Sequence, residues 1–126
     1  MTYRESLPDN CPPDTADEIT LPRLVYRLVR NNPPTDDDFR SQRAEQRERV
    51  FRNISECQAR GLSVRTDLES AVDLMGLRTM RGRMLCQVQL DHGSGRIMQT
   101  GEDPHHSTWW PLADYLILAN CSLVTT

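Results

Sequence analysis

In Met84-Leu-Cys-Gln-Val-Gln-Leu90 every second side chain is apolar, and two of the three residues between them are glutamines. Alternation with a period of two is typical of a strand that has one more apolar face. The glycines of His92-Gly-Ser-Gly95 indicate a turn, after which Arg96-Ile-Met-Gln-Thr100 returns as a second strand. We therefore expect a β-hairpin over residues 83–100, with its first strand from Arg83 to Asp91, and a mainly antiparallel sheet around it.

Three more segments are predicted to form strands. The stretch Leu21-Pro-Arg-Leu-Val-Tyr-Arg-Leu-Val-Arg30 is apolar on both faces, which fits a buried strand. Asn31-Asn-Pro-Pro34 ends it, because proline cannot donate to a ladder. Leu62-Ser-Val64 is a short strand candidate, and residues 117–125 are predicted as the final strand.

Two main helices are predicted between these strands. Thr35 can cap a helix whose first turn, Asp36-Asp-Asp38, complements the positive end of the helix dipole. We expect this charged helix to run to about Arg60, with a break allowed. Thr66-Asp-Leu-Glu69 is a capping box that starts the second helix, and Gly76 ends it.

The order of the elements, with helices early and strands late, predicts an α+β fold. We expect a single domain over residues 21–126, with a mainly antiparallel, split sheet of four or five strands and two main helices. Residues 1–20 are acidic and contain Pro8, Pro12 and Pro13. They are predicted to form an irregular arm that is mobile unless it docks.

Composition excludes several functions. All fifteen basic residues are arginine, so the chain has no lysine for a Schiff base or for a phosphate-binding loop. The net charge of −3 argues against general binding to nucleic acid. No apolar run approaches the roughly 20 residues of a membrane helix, and the first residues lack the pattern of a signal peptide. We expect a cytoplasmic protein without nucleic-acid or membrane partners.

The four cysteines, Cys11, Cys57, Cys86 and Cys121, are far apart. A structural zinc site needs paired ligands at short spacing, so no metal site is predicted. An even number permits two disulfides, although nothing else in the sequence favours secretion. Cys86 and Cys121 lie in apolar, strand-like segments, where a reduced cysteine behaves as a small hydrophobic residue.

The segment Glu102-Asp-Pro-His-His-Ser-Thr-Trp-Trp-Pro111 holds two of the three histidines and both tryptophans. A metal ion, or a nucleophilic Ser107 with a histidine and Asp103, is an alternative to a simple turn. Adjacent histidines on an extended chain point opposite ways, which disfavours a shared metal ion. We expect one tryptophan to pack inward and the other to stay partly exposed, either as a binding surface or as a lid. Pro111 is expected to open a short helix over residues 112–116.

Arginines supply two candidate anion sites. Arg27 stands inside an apolar strand, where an unpaired charge is costly. It must pair with an acid such as Asp67 or Glu69, reach solvent at the sheet edge, or face an anionic ligand. A local basic spot that could meet a phosphate, or simply lie in a solvated loop, is formed by Arg78, Arg81 and Arg83.

In Leu24-Val-Tyr-Arg27 and Gly61-Leu-Ser-Val-Arg-Thr-Asp-Leu-Glu-Ser-Ala71 the chain resembles small bacterial toxins of the ADP-ribosyltransferase class. Those proteins often begin with a leucine-tyrosine-arginine strand, followed by a helix, a serine-bearing strand that leads into a helix, and a split antiparallel sheet. The resemblance covers residues 21–125. It implies that Arg27 holds the phosphates of a nicotinamide dinucleotide (NAD) and that Ser63 braces the nicotinamide-ribose pocket.

The resemblance also implies a catalytic carboxylate near the last strands. Such a group orients the acceptor and stabilises the oxocarbenium-like state as nicotinamide leaves. Where the family often has Glu-x-Glu this chain has only Glu102, and its serine motif is Ser63-Val-Arg-Thr66. Together with the histidine and tryptophan segment, this predicts Glu102 and His106 as catalytic residues and Arg27, Ser63 and Trp109 as cofactor-binding residues.

Two functions from different classes remain as hypotheses. The first is an ADP-ribosyltransferase-like protein, or a degenerate relative, with its site residues in one cleft. The second is a non-catalytic interaction module, such as an immunity or accessory protein. It would bind a protein partner through the acidic arm, the charged helix and the tryptophan segment.

Overall fold

The computed structural model describes residues 2–124, which form a single α+β domain around a seven-stranded antiparallel sheet. The class and the antiparallel pairing are confirmed, but four or five strands were too few. The strands in chain order are β1 (Asp17–Glu18), β2 (Arg23–Val29), β3 (Leu62–Arg65), β4 (Met84–Leu90), β5 (Gly95–Gln99), β6 (His106–Pro111) and β7 (Cys121–Leu123). No helix within residues 2–124 has the length and apolar character needed to cross a membrane.

The sheet consists of two blocks in the order β1-β5-β6-β3 and β2-β4-β7. Strands β2 and β4 pair over their full length of seven residues. Strands β2 and β3, by contrast, pair only where Tyr26 faces Arg65. We call this junction between β2 and β3 the seam. The sheet is therefore nearly divided in two along the seam.

The predicted β4–β5 hairpin is wrong, although both strands exist. Strand β4 pairs with β2 and β7, whereas β5 pairs with β1 and β6. The glycine-containing turn lets the chain leave one block and enter the other. Gly95 has a φ of +126°, and a Cβ there would lie 2.1 Å from the Trp110 carbonyl oxygen. Glycine at this position therefore permits the close approach of β5 to β6.

The long charged helix predicted from Thr35 to Arg60 is also wrong. This segment contains only a 3-10 turn (Asp36–Phe39) and two short helices, α1 (Gln42–Glu45) and α2 (Glu56–Ala59). Its apolar residues are too sparse to bury a continuous stripe. The second predicted helix is confirmed as α3 (Leu68–Met75), although its N-cap is Asp67 rather than Thr66. Two further 3-10 turns complete the helical elements, Arg78–Met80 and Leu118–Asn120.

The acidic arm is docked on the domain. Tyr3 forms a β-bridge with Leu112, and Glu5 accepts hydrogen bonds from the backbone and hydroxyl of Ser41. Cys11 forms a disulfide with Cys57, while Cys86 and Cys121 are free thiols. The sequence permitted two disulfides, and the structure has this one; the expected cytoplasmic location stays a prediction.

Both tryptophans are buried, with relative exposures of 0% for Trp109 and 1% for Trp110. The expectation of one partly exposed tryptophan is wrong, because β6 is an inner strand that is covered on both faces. Trp109 packs in the main core on one face of the sheet. The Trp110 indole lies on the opposite face and donates to the Cys57 carbonyl. The helix expected to follow Pro111 is also wrong, because Pro111 ends β6 and the next helical turn begins at Leu118.

Candidate functional site

A cavity of about 620 Å³ opens beside the seam, and we call it the seam cavity. Strand β2 contributes Arg27, β3 contributes Ser63, and β6 contributes His106. The loops and short helices of residues 37–58 form much of the remaining wall. Three predicted site residues, each from a different strand, therefore line one hollow.

Ser63 and His106 form a hydrogen-bonded pair inside this cavity. The Ser63 Oγ lies 2.5 Å from His106 Nε2. On the other side of the ring, His106 Nδ1 lies 2.9 Å from the Thr100 carbonyl oxygen. A carbonyl can only accept, so this contact assigns the proton to Nδ1. In that tautomer Nε2 accepts, and the Ser63 hydroxyl donates to it.

The Arg27 guanidinium is held by three backbone carbonyls. Nε donates to Asp38 at 2.8 Å, Nη1 to Ser63 at 2.8 Å and Nη2 to Arg40 at 3.1 Å. Burial lowers the pKa of Arg27 to about 10, against the opposing effect of the Asp38 charge. The side chain therefore stays cationic at neutral pH. The expected pairing with Asp67 or Glu69 does not form.

Asp38 shapes the wall of the cavity next to Arg27. Its carboxylate accepts hydrogen bonds from the backbone N–H groups of Arg30 and Thr35 and from the Asn31 amide. Burial alone would raise its pKa, but these hydrogen bonds outweigh that effect and hold the pKa below its usual value. The Asp38 carboxylate is thus occupied in fixing the loop that follows β2.

The charge of the lining favours an anionic occupant. Three carboxylates line the cavity, those of Asp37, Asp38 and Glu45. Five arginines do so: Arg27, Arg30, Arg40, Arg49 and Arg83. Within residues 2–124 the guanidinium groups of Arg30 and Arg83 make neither a hydrogen bond nor an ion pair with another side chain or carbonyl. Unpaired guanidinium groups at a cavity wall suit phosphate or carboxylate oxygens.

Two predicted site residues lie elsewhere. Glu102 is exposed in the loop between β5 and β6 and is not among the residues that line the cavity. Trp109 is buried in the core, where its indole donates to the Ser94 carbonyl at 3.0 Å. It therefore offers no stacking face to a ligand in the cavity.

Sequence reasoning missed several residues of the site. Thr100 orients the histidine from the end of β5, and Arg30 follows β2. Neither position carries a distinctive local pattern. Arg83 was noted only as part of a basic spot, and the other two arginines of that spot, Arg78 and Arg81, do not line the cavity.

A second hollow of about 490 Å³ lies beside α3. It is lined by four carboxylates, and one of them, Asp103, is paired with Arg65 at 2.5 Å. Among the residues that the structure describes, no group of three or more histidine, cysteine or carboxylate side chains could hold a metal ion.

Comparisons with protein-family models, curated proteins and solved structures found no match to this chain.

Proposed function

We propose that this protein binds a nicotinamide dinucleotide in the seam cavity, as the ADP-ribosyltransferase resemblance implies. The observation that carries the proposal is the convergence of Arg27 and Ser63. The two residues are 36 positions apart in the sequence and lie on different strands, yet Arg27 Nη1 bonds to the Ser63 carbonyl at the cavity wall. These are the two positions to which the resemblance assigns the phosphates and the nicotinamide ribose.

The size and charge of the cavity support the same proposal. A volume of about 620 Å³ falls within the range of roughly 300–1,000 Å³ typical of small-molecule sites. The guanidinium groups of Arg30 and Arg83 have no polar partner within residues 2–124, so they can turn to a pyrophosphate without breaking a described contact. Arg27 retains two N–H groups beyond the three that bond to carbonyls.

Turnover of the dinucleotide needs a carboxylate near the ribose, because the transition state carries positive charge. Glu102 lies outside the lining, whereas Glu45 lies within it. We propose Glu45 as the better placed carboxylate, with His106 beside Ser63. If the protein releases nicotinamide from NAD, Glu45→Gln should strongly lower the rate of that release, and Glu102→Gln should leave the rate nearly unchanged. Equal effects of the two variants would contradict this assignment.

Binding is tested by isothermal titration calorimetry with NAD, ADP-ribose and nicotinamide. Arg83→Ala should weaken binding of NAD and ADP-ribose by at least about tenfold, because a hydrogen bond to a charged group is worth roughly 1.5–3 kcal/mol and about 1.4 kcal/mol is a factor of ten. Arg81→Ala is the matched control, because Arg81 is exposed and outside the lining. Absence of saturable binding by NAD and ADP-ribose, or equal weakening in both variants, would refute the proposal.

The alternative function is a non-catalytic module that binds a protein partner, and one feature of the structure favours it. Its tryptophan surface does not exist, because both indoles are buried. Exposed apolar residues on another face favour it instead, since Leu68 and Val72 stand one turn apart on α3 and are 43% and 42% exposed. A protein that binds no dinucleotide but loses a partner on Val72→Asp would fit this alternative.

A further inference from the structure

We propose that Ser63 is a nucleophile, with His106 as its general base, and that the pair hydrolyses a carboxylic ester that carries a negative charge. This activity goes beyond dinucleotide binding and does not depend on it. The evidence is a chain of three groups: an exposed serine hydroxyl, an imidazole 2.5 Å away, and a carbonyl that fixes the far side of the ring. An activated nucleophile needs those three parts.

The environment of Ser63 distinguishes this pair from an ordinary structural hydrogen bond. Ser63 is exposed at the cavity wall, and the His106 ring lies partly buried behind it. The two residues come from neighbouring strands, in which Ser63 faces Thr108 and Arg65 faces His106. The hydroxyl therefore reaches diagonally across the ladder to the ring, while its oxygen stays accessible from the cavity.

The proposed reaction has two steps, acylation of Ser63 and hydrolysis of the acyl-serine. Ser63 Oγ attacks the ester carbonyl carbon and its proton passes to His106 Nε2. The tetrahedral intermediate then collapses, the bond to the alcohol oxygen breaks, and His106 returns the proton to the departing alcohol. Water attacks the acyl-serine in the same way and releases the acid. The Thr100 carbonyl accepts from Nδ1 throughout and stabilises the imidazolium that forms in each step.

The choice of an anionic ester follows from the arginines. Arg27 Nη1 bonds to the backbone carbonyl of the nucleophile's own residue, and both residues line the cavity. The proposal places the oxyanion on the side of this positive guanidinium. That charge favours the developing oxyanion. Arg30 and Arg83 line the same cavity, and their guanidinium groups have no polar partner within the described chain. They are placed to hold a carboxylate or phosphate on the substrate.

The test is labelling of the folded protein by a fluorophosphonate probe, in which a serine oxygen displaces fluoride at phosphorus. Peptide mapping should locate the label at Ser63. Ser63→Ala should abolish it, and His106→Gln should slow it by about 100-fold or more, the usual effect of a general base. Ser122→Ala is the matched control, because Ser122 is an exposed strand serine whose hydroxyl has no described hydrogen bond.

Ester specificity gives a second readout. After subtraction of the uncatalysed rate of each ester, mono-para-nitrophenyl succinate should be hydrolysed faster than para-nitrophenyl butyrate. Arg83→Ala should reduce the ratio of the two enzymatic rates, and Arg81→Ala should leave it unchanged. Thermal unfolding of each variant verifies that it is folded.

The proposal is overturned if Ser63 is labelled no faster than Ser122, or if His106→Gln leaves the rate unchanged. NAD binding measured on the same samples separates the two proposals. NAD binding without labelling of Ser63 would refute only the proposed nucleophile. Labelling of Ser63 without NAD binding would refute only the proposed dinucleotide site.

Discussion

Arg27 Nη1 donates a 2.8 Å hydrogen bond to the Ser63 carbonyl across the seam, where the backbones of β2 and β3 pair at a single position. The side chain thus supplies a link that the backbone ladder does not. The same guanidinium also binds the carbonyls of Asp38 and Arg40. One residue therefore ties together two halves of the sheet and the loop that walls the cavity.

Replacing Arg27 with lysine should destabilise the fold even though the charge is kept. A lysine ammonium cannot reproduce the planar guanidinium that reaches three carbonyls at once. We expect Arg27→Lys to lower the free energy of unfolding by at least about 2 kcal/mol, given roughly 1.5–3 kcal/mol for a hydrogen bond to a charged group. Urea titration measures this quantity.

Arg30→Lys is the matched control, since Arg30 is exposed and its guanidinium has no polar partner within residues 2–124. Its effect should stay within about 0.5 kcal/mol, as for most surface substitutions. Equal stabilities for the two variants would show that the Arg27 contacts do not brace the seam.

Reduction of the Cys11–Cys57 disulfide should lower stability. The bond joins residues 46 positions apart, and closing a loop of that length in the unfolded chain is worth about 4 kcal/mol. Guanidinium unfolding with and without reductant measures the difference. The Cys11→Ser/Cys57→Ser double variant should resemble the reduced protein and should not respond to reductant.

The cysteine state can be counted directly. The unfolded, unreduced protein should take up two alkyl groups, on Cys86 and Cys121. In the native protein Cys86 should resist alkylation, because burial raises its pKa to about 12. Mass spectrometry that finds four alkylated cysteines without reductant would contradict the disulfide.

Glu56 should make stability depend on pH in acid. It accepts hydrogen bonds from Arg43 at 2.7 Å and Arg60 at 2.8 Å, and these lower its pKa from 4.5 to about 2. A carboxyl with a depressed pKa stabilises the fold fully above its unfolded value, and the effect is lost as the pH falls toward the folded value. The contribution should therefore disappear between pH 4.5 and about 2.

Glu56→Gln tests this expectation by urea unfolding at several pH values. Because the side chain is 38% exposed, we expect a loss of only about 1 kcal/mol at pH 7. The difference in free energy of unfolding between the variant and the unsubstituted protein should disappear near pH 2. Glu48→Gln is the matched control at pH 7, because Glu48 is exposed and has no described ion pair, and its stability should stay within about 0.5 kcal/mol of the unsubstituted protein. A gap that stays constant with pH would rule out the ion-pair explanation.

Gly95→Ala should be far more damaging than Gly93→Ala. Both glycines have a positive φ, +126° at Gly95 and +84° at Gly93. Nothing lies within 4 Å of a Cβ at Gly93, whereas one at Gly95 would meet the Trp110 carbonyl oxygen at 2.1 Å. Gly93→Ala should cost about 1–2 kcal/mol from backbone strain alone, and Gly95→Ala at least about 3 kcal/mol. Denaturant midpoints measure both, and similar losses would contradict the packing of β5 on β6.

The strands were predictable because alternation along β4 and the apolar run of β2 are local signals. The pairing of β4 with β2 was not, because a turn between two strands does not show that they lie side by side. The helix predicted from Thr35 to Arg60 was wrong because the arginines and acids of this segment pair across loops, as Arg43 does with Glu56, and not along one helix. The tryptophans misled because nothing local indicates that both faces of β6 are covered.

The candidate site was partly predictable for similar reasons. Arg27 stood out as a charge within an apolar strand, Ser63 was named through the resemblance, and His106 was named from the histidine and tryptophan segment. Their meeting depends on the order β6-β3-β2, which no short pattern encodes. Glu102 could not be separated from Glu45 by sequence, since the path of the loop between β5 and β6 decides which carboxylate reaches the cavity.

The order of the strands also bears on how quickly the chain can reach its native state. Of the seven described strands, only β5 and β6 are sheet neighbours joined by a short connection. Every other ladder must close a long loop before its hydrogen bonds compensate for the lost chain entropy. Refolding should therefore be slow for a domain of this length, on the order of milliseconds to seconds, as is usual for topologies of high contact order.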